Sequence, residues 1–83
     1  MDMQKRYRIY VELNEQYHKT IAETDSAEVA DSVYGMYISQ LKNGLTRYGT
    51  DNITKVGILR KQDGAQFSFS VTEGFKETFK KTA

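Results

Sequence analysis

The sequence predicts an α+β fold: a four-stranded antiparallel sheet (β-hairpin–helix–β-hairpin) with one long helix packed on one face and a short C-terminal helix. Three patterns predict it. Apolar and polar residues alternate over 5–13, an apolar stripe of helical period follows over 26–48, and two alternating segments flank Asp63-Gly64. Eighty-three residues leave room for one small core, so we expect residues 1–83 to form a single domain.

The first hairpin is predicted from residue 5 to about residue 24. Apolar residues occupy every second position from Tyr7 to Leu13, which is typical of a half-buried strand. Residues 14–16 form a tight connection. The strand that follows places Lys19 on its apolar face, and a charge in that position suits the edge of a sheet.

The helix is predicted to begin at Asp25, which would be the N-cap of a capping box with Glu28. Eight apolar or aromatic residues then share one arc of a helical wheel, as expected of a helix that lies on a sheet. They are Ala30, Val33, Tyr34, Tyr37, Ile38, Leu41, Leu45 and Tyr48. Gly49 is the predicted end of the helix.

The second hairpin is predicted to turn at Asp63-Gly64, a sequence typical of two-residue turns. Such a turn places Phe67 opposite Arg60 and Phe69 opposite Ile58. Both phenylalanines then point toward the core side of the sheet.

The tail is predicted to be helical, because Phe75 and Phe79 are spaced i, i+4 and would both press onto the core. The strand order that follows is 2-1-3-4. In that order the fourth strand, residues 67–71, lies at an edge and is open to strand addition by another protein or by a second copy. The alternative is that the tail helix covers this edge.

The composition argues against an enzyme and against a bound cofactor or metal. The chain has no cysteine and a single histidine, His18, without a nucleophile-elbow glycine pattern or a carboxylate cluster at ligand spacing. Its glycines form neither a phosphate loop nor a dinucleotide-binding motif. No residue is therefore assigned a catalytic, cofactor-binding or metal-binding role.

The start of the chain, Met1 to Arg6, leads directly into alternating sequence without the apolar segment of a secretory leader. No run approaches the ~20 apolar residues of a membrane span. We therefore expect a cytoplasmic protein that does not enter membranes.

One candidate surface is the sheet face away from the helix. The net charge is only +1, so nucleic-acid binding would need a local basic patch. This face would supply one, with an aromatic ring for base stacking, from Arg6, Arg8, Tyr10, Lys55 and Lys61. The alternative interpretation is an ordinary solvated sheet face.

The other candidate surface is apolar. Val29 and Met36 lie outside the main helical arc, on the flank shared with Arg47, and Leu59 points away from its apolar neighbours. A small apolar spot with a polar border suits a protein contact. The alternative is that these residues form peripheral core.

The leading functional hypothesis is a small regulatory or inhibitory protein that binds another protein, and an origin in a virus or mobile element would fit so short a chain. The second hypothesis is a nucleic-acid-binding domain that uses the basic sheet face. A homodimer through an edge strand is compatible with either.

Overall fold

The computed structural model describes residues 5–81. Its elements are β1 (Tyr7–Leu13), β2 (Tyr17–Thr24), α1 (Ala27–Lys42), β3 (Arg47–Tyr48), β4 (Asp51–Arg60), β5 (Ala65–Ser70) and β6 (Lys76–Lys80). The prediction that the chain has no secretory leader rests on residues 1–6, and residues 1–4 of that segment lie outside the described residues. Residues 82 and 83 of the predicted single domain also lie outside them.

The strands form one antiparallel sheet in the order β2-β1-β4-β5-β6, and β3 pairs with the beginning of β4. The predictions of an α+β fold with an antiparallel sheet and one helix are confirmed, and so is the order of the four predicted strands. The predicted number of strands is wrong, because β3 and β6 bring the total to six. The predicted edge position of residues 67–71 is also wrong, since β5 pairs with β4 on one side and with β6 on the other.

The predicted C-terminal helix is wrong, since residues 76–80 form β6. A spacing of four residues places Phe75 and Phe79 on one face of a helix, but also on one face of a strand, where every second side chain points the same way. Gly74 (φ 83°) and Phe75 (φ 58°) reverse the chain. The segment then pairs with β5, with Phe79 opposite Phe67.

The second hairpin forms at the predicted place with a longer loop, residues 61–64. Phe67 lies opposite Ile58 and Phe69 opposite Val56, so the register differs from the prediction by two residues. A shift of two keeps every side chain on its predicted face. The loop closes because the Asp63 carboxylate accepts the amide proton of Ala65, at 3.1 Å.

The N-cap of the helix is Ser26, one residue later than the predicted Asp25. The Ser26 Oγ accepts the Val29 amide proton at 3.2 Å. Asp25 instead accepts the Arg6 amide proton. The helix ends at Lys42 rather than at Tyr48, because Gly44 adopts φ 87° just beyond it, a conformation typical of helix ends.

Because the helix ends early, the last residues of the predicted apolar arc lie outside it. Leu45 is exposed, and Arg47 and Tyr48 belong to β3. Tyr48 still packs against the core, but from the sheet. Arg47 does not share a helical flank with Met36.

The core lies between α1 and the strands β2, β1 and β4. Ile9, Val11, Leu41 and Val56 are completely buried there. A helix is about 10–12 Å wide and strands lie about 4.8 Å apart, so one helix covers only two or three strands.

The prediction that all the phenylalanines lie in the core is therefore wrong. Phe69 is buried, but Phe67, Phe75 and Phe79 remain 45%, 47% and 56% exposed. They lie on or beside β5 and β6, beyond the strands against which the helix packs.

Candidate protein-interaction site

The helix-side face of the sheet contains an open apolar cleft where β5 and β6 extend beyond α1. Its volume is about 240 Å³. The lining residues come from the sheet and from the first turns of the helix: Tyr7, Ala27, Asp31, Ile58, Arg60, Ala65, Phe67 and Phe79. We call this site the aromatic cleft.

Two phenylalanine rings form the outer wall of the aromatic cleft. Phe67 and Phe79 are direct cross-strand partners, and their ring centroids lie 4.8 Å apart with the planes tilted by 47°. Such a cross-strand aromatic pair stabilises the sheet and holds both rings in place. The rings are therefore fixed in position while half of their surface stays in contact with solvent.

The environment of Phe69 shows why the cleft does not continue along β5 toward the end of the helix. Phe69 lies on the same face of β5, but the Lys42 ammonium lies 5.6 Å from its ring centroid and the Phe75 ring lies 6.0 Å away. These groups cover Phe69 near the end of the helix. Phe67, two residues earlier, lies near the beginning of the helix, where Ala27 and Asp31 are the helix residues that line the cleft.

Charged groups border the cleft. Asp31 comes from the helix and Arg60 from β4, and the Arg60 guanidinium donates to both carboxylate oxygens of Asp63, at 3.0 and 2.7 Å. This pair and the amide of Ala65 lower the pKa of Asp63 to about 2. The cleft thus has an apolar wall and floor with a charged rim, as protein interfaces have.

A hydrogen bond ties the helix to the last strand. The Tyr34 hydroxyl donates to Glu77 Oε2 at 2.9 Å. Burial is the larger cause and this hydrogen bond is the next one, and together they raise the pKa of Tyr34 above its ordinary value. The hydroxyl therefore keeps its proton. The bond holds β6 against the helix-bearing part of the molecule.

On the opposite face of the sheet, Tyr10 lies across Gly57. A side chain at position 57 would occupy the place of the Tyr10 ring, and the Tyr10 hydroxyl donates to Gln66 Oε1 at 2.8 Å. The ring also stacks on His18, with centroids 4.8 Å apart. Tyr10 is only 7% exposed, which leaves little ring surface for a nucleic-acid base.

The basic residues predicted for this face lie close to polar or acidic neighbours. Arg8 Nε donates to the Thr20 hydroxyl at 2.6 Å, and Lys61 Nζ lies 3.3 Å from Glu23 Oε2. Lys55 is half-buried opposite Glu12, and Arg6 is exposed. The face therefore carries both signs of charge.

The structure does not bring the four predicted protein-binding residues together. Val29 and Met36 are exposed on the helix, two turns apart. Leu59 lies on the other face of the sheet, half-buried between Arg8 and Gln66 in the strand register. Arg47 lies in β3, and its guanidinium donates to the Thr50 carbonyl at 3.1 Å.

The exposure of Phe67 and Phe79 is the feature that the sequence analysis missed. Alternation assigned Phe67 to the helix-side face, and the i, i+4 spacing of a predicted tail helix assigned Phe79 to the core. Neither pattern gave information on what covers that face. The available clue was the width of the sheet, because one amphipathic helix is too narrow to cover four or more strands.

Among residues 5–81, no three His, Cys, Asp or Glu side chains are grouped so that they could hold a metal ion. Over the same residues, no helix has the length and apolar character needed to cross a membrane.

Comparison with known proteins gives no match: no protein family, no curated protein and no solved structure is similar enough to this chain to indicate a relationship.

Proposed function

We propose that this protein is a small non-enzymatic regulatory or inhibitory protein that binds another protein at the aromatic cleft. The supporting observation is the Phe67–Phe79 pair, two contacting rings about half exposed on the part of the helix-side face that α1 leaves uncovered. Large apolar side chains held rigidly at the surface supply binding area at low entropic cost.

The size of the cleft favours one side chain of a partner over a free metabolite. Pockets for small-molecule ligands and cofactors usually measure ~300–1,000 Å³, whereas this cleft measures about 240 Å³. We infer that an aromatic or aliphatic side chain of the partner packs against Phe67 and Phe79. Asp31 and Arg60 at the rim would then form polar contacts around it.

Affinity capture with matched variants tests the site. Tagged wild-type protein, Phe67→Ser and Met36→Ser are incubated with extract of the cells that express the protein, and the retained proteins are identified by mass spectrometry. Phe67 and Met36 are similarly exposed, but Met36 does not line the cleft. We expect a protein that is retained by the wild type and by Met36→Ser and lost with Phe67→Ser.

Equal retention by Phe67→Ser would show that the cleft is not the binding site. Loss with Met36→Ser alone would assign binding to the helix flank of Val29 and Met36. Circular dichroism spectra of all three proteins are compared to check that the variants remain folded.

An oligonucleotide titration at two salt concentrations distinguishes the alternative, a nucleic-acid-binding domain. Our proposal expects no binding that weakens steeply with salt. Steep salt dependence together with a loss of binding in Arg8→Ala would favour the basic sheet face instead.

A further inference from the structure

We propose that β6 pairs antiparallel with β6 of a second copy of this chain, in the register centred on Phe79. β6 ends the path of the sheet, and all five of its residues are exposed. The outer edge of such a strand presents backbone donors and acceptors that another strand can pair with. This pairing does not depend on the proposed binding of another protein.

The other end of the sheet is less suited to strand addition. β2 is interrupted by a bulge next to its pairing with Ile9 and Tyr10. It also carries Lys19 on the helix-side face, in line with Val11 of β1. A bulge and an inward-pointing charge are two features that oppose edge-to-edge pairing. β6 pairs with β5 without a bulge, and its own helix-side charge, Glu77, is bonded to the Tyr34 hydroxyl.

The register centred on Phe79 pairs groups that attract each other. A two-fold axis perpendicular to the sheet places Glu77 opposite the partner's Lys81, and the symmetry repeats that pair on the other side. Opposite charges and aromatic rings in cross-strand positions stabilise a sheet. Phe79 then faces the partner's Phe79, and Thr78 faces the partner's Lys80. The pairing uses residues 77–81.

The neighbouring registers bring like charges together. A pairing centred on Thr78 places Lys76 opposite the partner's Lys80. A pairing centred on Glu77 or on Lys80 places that charged residue opposite its own copy. Like charges directly opposite each other destabilise a sheet, so the charge pattern of β6 selects one register.

The two charged groups are accessible in a single copy. Lys81 is exposed and has only a long contact, 3.9 Å, from its ammonium to Asp63. Glu77 receives the Tyr34 hydroxyl on Oε2, and a carboxylate has enough lone pairs to accept a lysine as well. Tyr34 would therefore hold Glu77 in place for the partner's Lys81.

The pairing would also extend the aromatic surface. The Phe67 ring already contacts the Phe79 ring in each copy. In the dimer the two pairs would form one row across the joined sheets, on the face where the helices lie. The two aromatic clefts would then lie on the same side of the assembly.

Charge exchange tests the proposal directly. The mass of the wild type is measured by analytical ultracentrifugation from micromolar to millimolar concentration, and we expect it to rise toward twice the monomer mass. Glu77→Lys places lysine opposite lysine, and Lys81→Glu places glutamate opposite glutamate. We expect each variant alone to dimerise roughly tenfold more weakly or worse.

An equimolar mixture of Glu77→Lys and Lys81→Glu restores two opposite-charge pairs, so we expect it to dimerise like the wild type. The double variant should do the same. Because Glu77→Lys also removes the bond from Tyr34, thermal unfolding of each variant checks that loss of dimer is not loss of fold.

Lys76→Glu is the matched control, since Lys76 lies in β6 but outside the paired segment. We expect its dimerisation to change less than twofold. A wild type that stays monomeric throughout the concentration range would overturn the proposal, and so would unchanged dimerisation in Glu77→Lys and Lys81→Glu. Stronger dimerisation in Lys76→Glu would indicate the register centred on Thr78. Loss of the wild-type protein partner in Phe67→Ser bears only on the proposed function.

Discussion

The sheet has two regions whose apolar side chains point to the same face but lie in different environments. In β1 and β4, alternating apolar residues such as Ile9, Val11 and Val56 are completely buried under α1. In β5 and β6, Phe67 and Phe79 point to the same side and remain about half exposed. The difference shows that alternation determines which face a side chain joins, whereas burial depends on what packs above it.

The two regions therefore contribute differently to the molecule. The covered region removes apolar surface from water, which is the main source of stability in a small domain without disulfides. The uncovered region keeps its aromatic rings at the surface, where they are available for a partner. The buried core and the surface proposed for binding thus belong to different strands of one sheet.

The largest expected effect is on the free energy of unfolding when one residue of each region is replaced by alanine. Ile9→Ala removes a completely buried side chain and should lower the free energy of unfolding by about 2–5 kcal/mol. Phe67→Ala removes a larger side chain that is half exposed, and should cost about 1 kcal/mol, mainly through loss of its contact with the Phe79 ring. Urea denaturation followed by circular dichroism measures both.

Similar losses of unfolding free energy in Ile9→Ala and Phe67→Ala would contradict the difference between the two regions, since they would mean that Phe67 is buried in solution. The concentration should be kept low in these measurements, because self-association through β6 would add to the apparent stability.

Gly57→Ala should have the next largest effect, a loss of about 1–3 kcal/mol, because the new methyl group would displace the Tyr10 ring. The displaced ring would lose its bond to Gln66 and its stacking on His18. A double-mutant cycle with Tyr10→Ala sharpens the test. The two losses should be far from additive, and additivity would show that the ring does not occupy this place.

The smallest effect concerns the charged rim of the uncovered region. Arg60→Gln should raise the pKa of Asp63 from about 2 toward 3.8, measured by NMR titration of the carboxyl carbon. Lys81→Gln should raise it less, because its ammonium is 3.9 Å from Asp63. An Asp63 pKa near 3.8 in the wild type would contradict the ion pair.

The same pair sets a pH dependence with a definite sign. The folded state lowers the pKa of Asp63, so its contribution to stability is present above pH 3.8 and is lost as the pH falls toward 2. In Arg60→Gln that acid-dependent loss should become smaller.

Local patterns were sufficient to predict much of the fold. Strict alternation from Tyr7 to Leu13 identified β1 and its buried face, and Asp63-Gly64 located the second hairpin. The loop proved two residues longer, yet Phe67 and Phe69 kept their predicted face, because an even shift preserves the side of a strand.

The local sequence could not predict the structure where one pattern fits two conformations equally well. The spacing of Phe75 and Phe79 fits a helix and a strand equally, and pairing with β5 decided between them. Asn43-Gly44 ended the helix before the apolar arc did, although Gly44 also fitted that arc. The aromatic cleft depends on how many strands one helix covers, which is a property of the assembled fold.

The crossing of Tyr10 over Gly57 links two positions that are far apart in the chain. In this arrangement a large ring at position 10 is compatible only with glycine at position 57. Any descendant sequence that gains a side chain at 57 must also shrink residue 10 or redirect it. The two sites should therefore mutate together over evolution, and their covariation would identify distant relatives that retain this sheet.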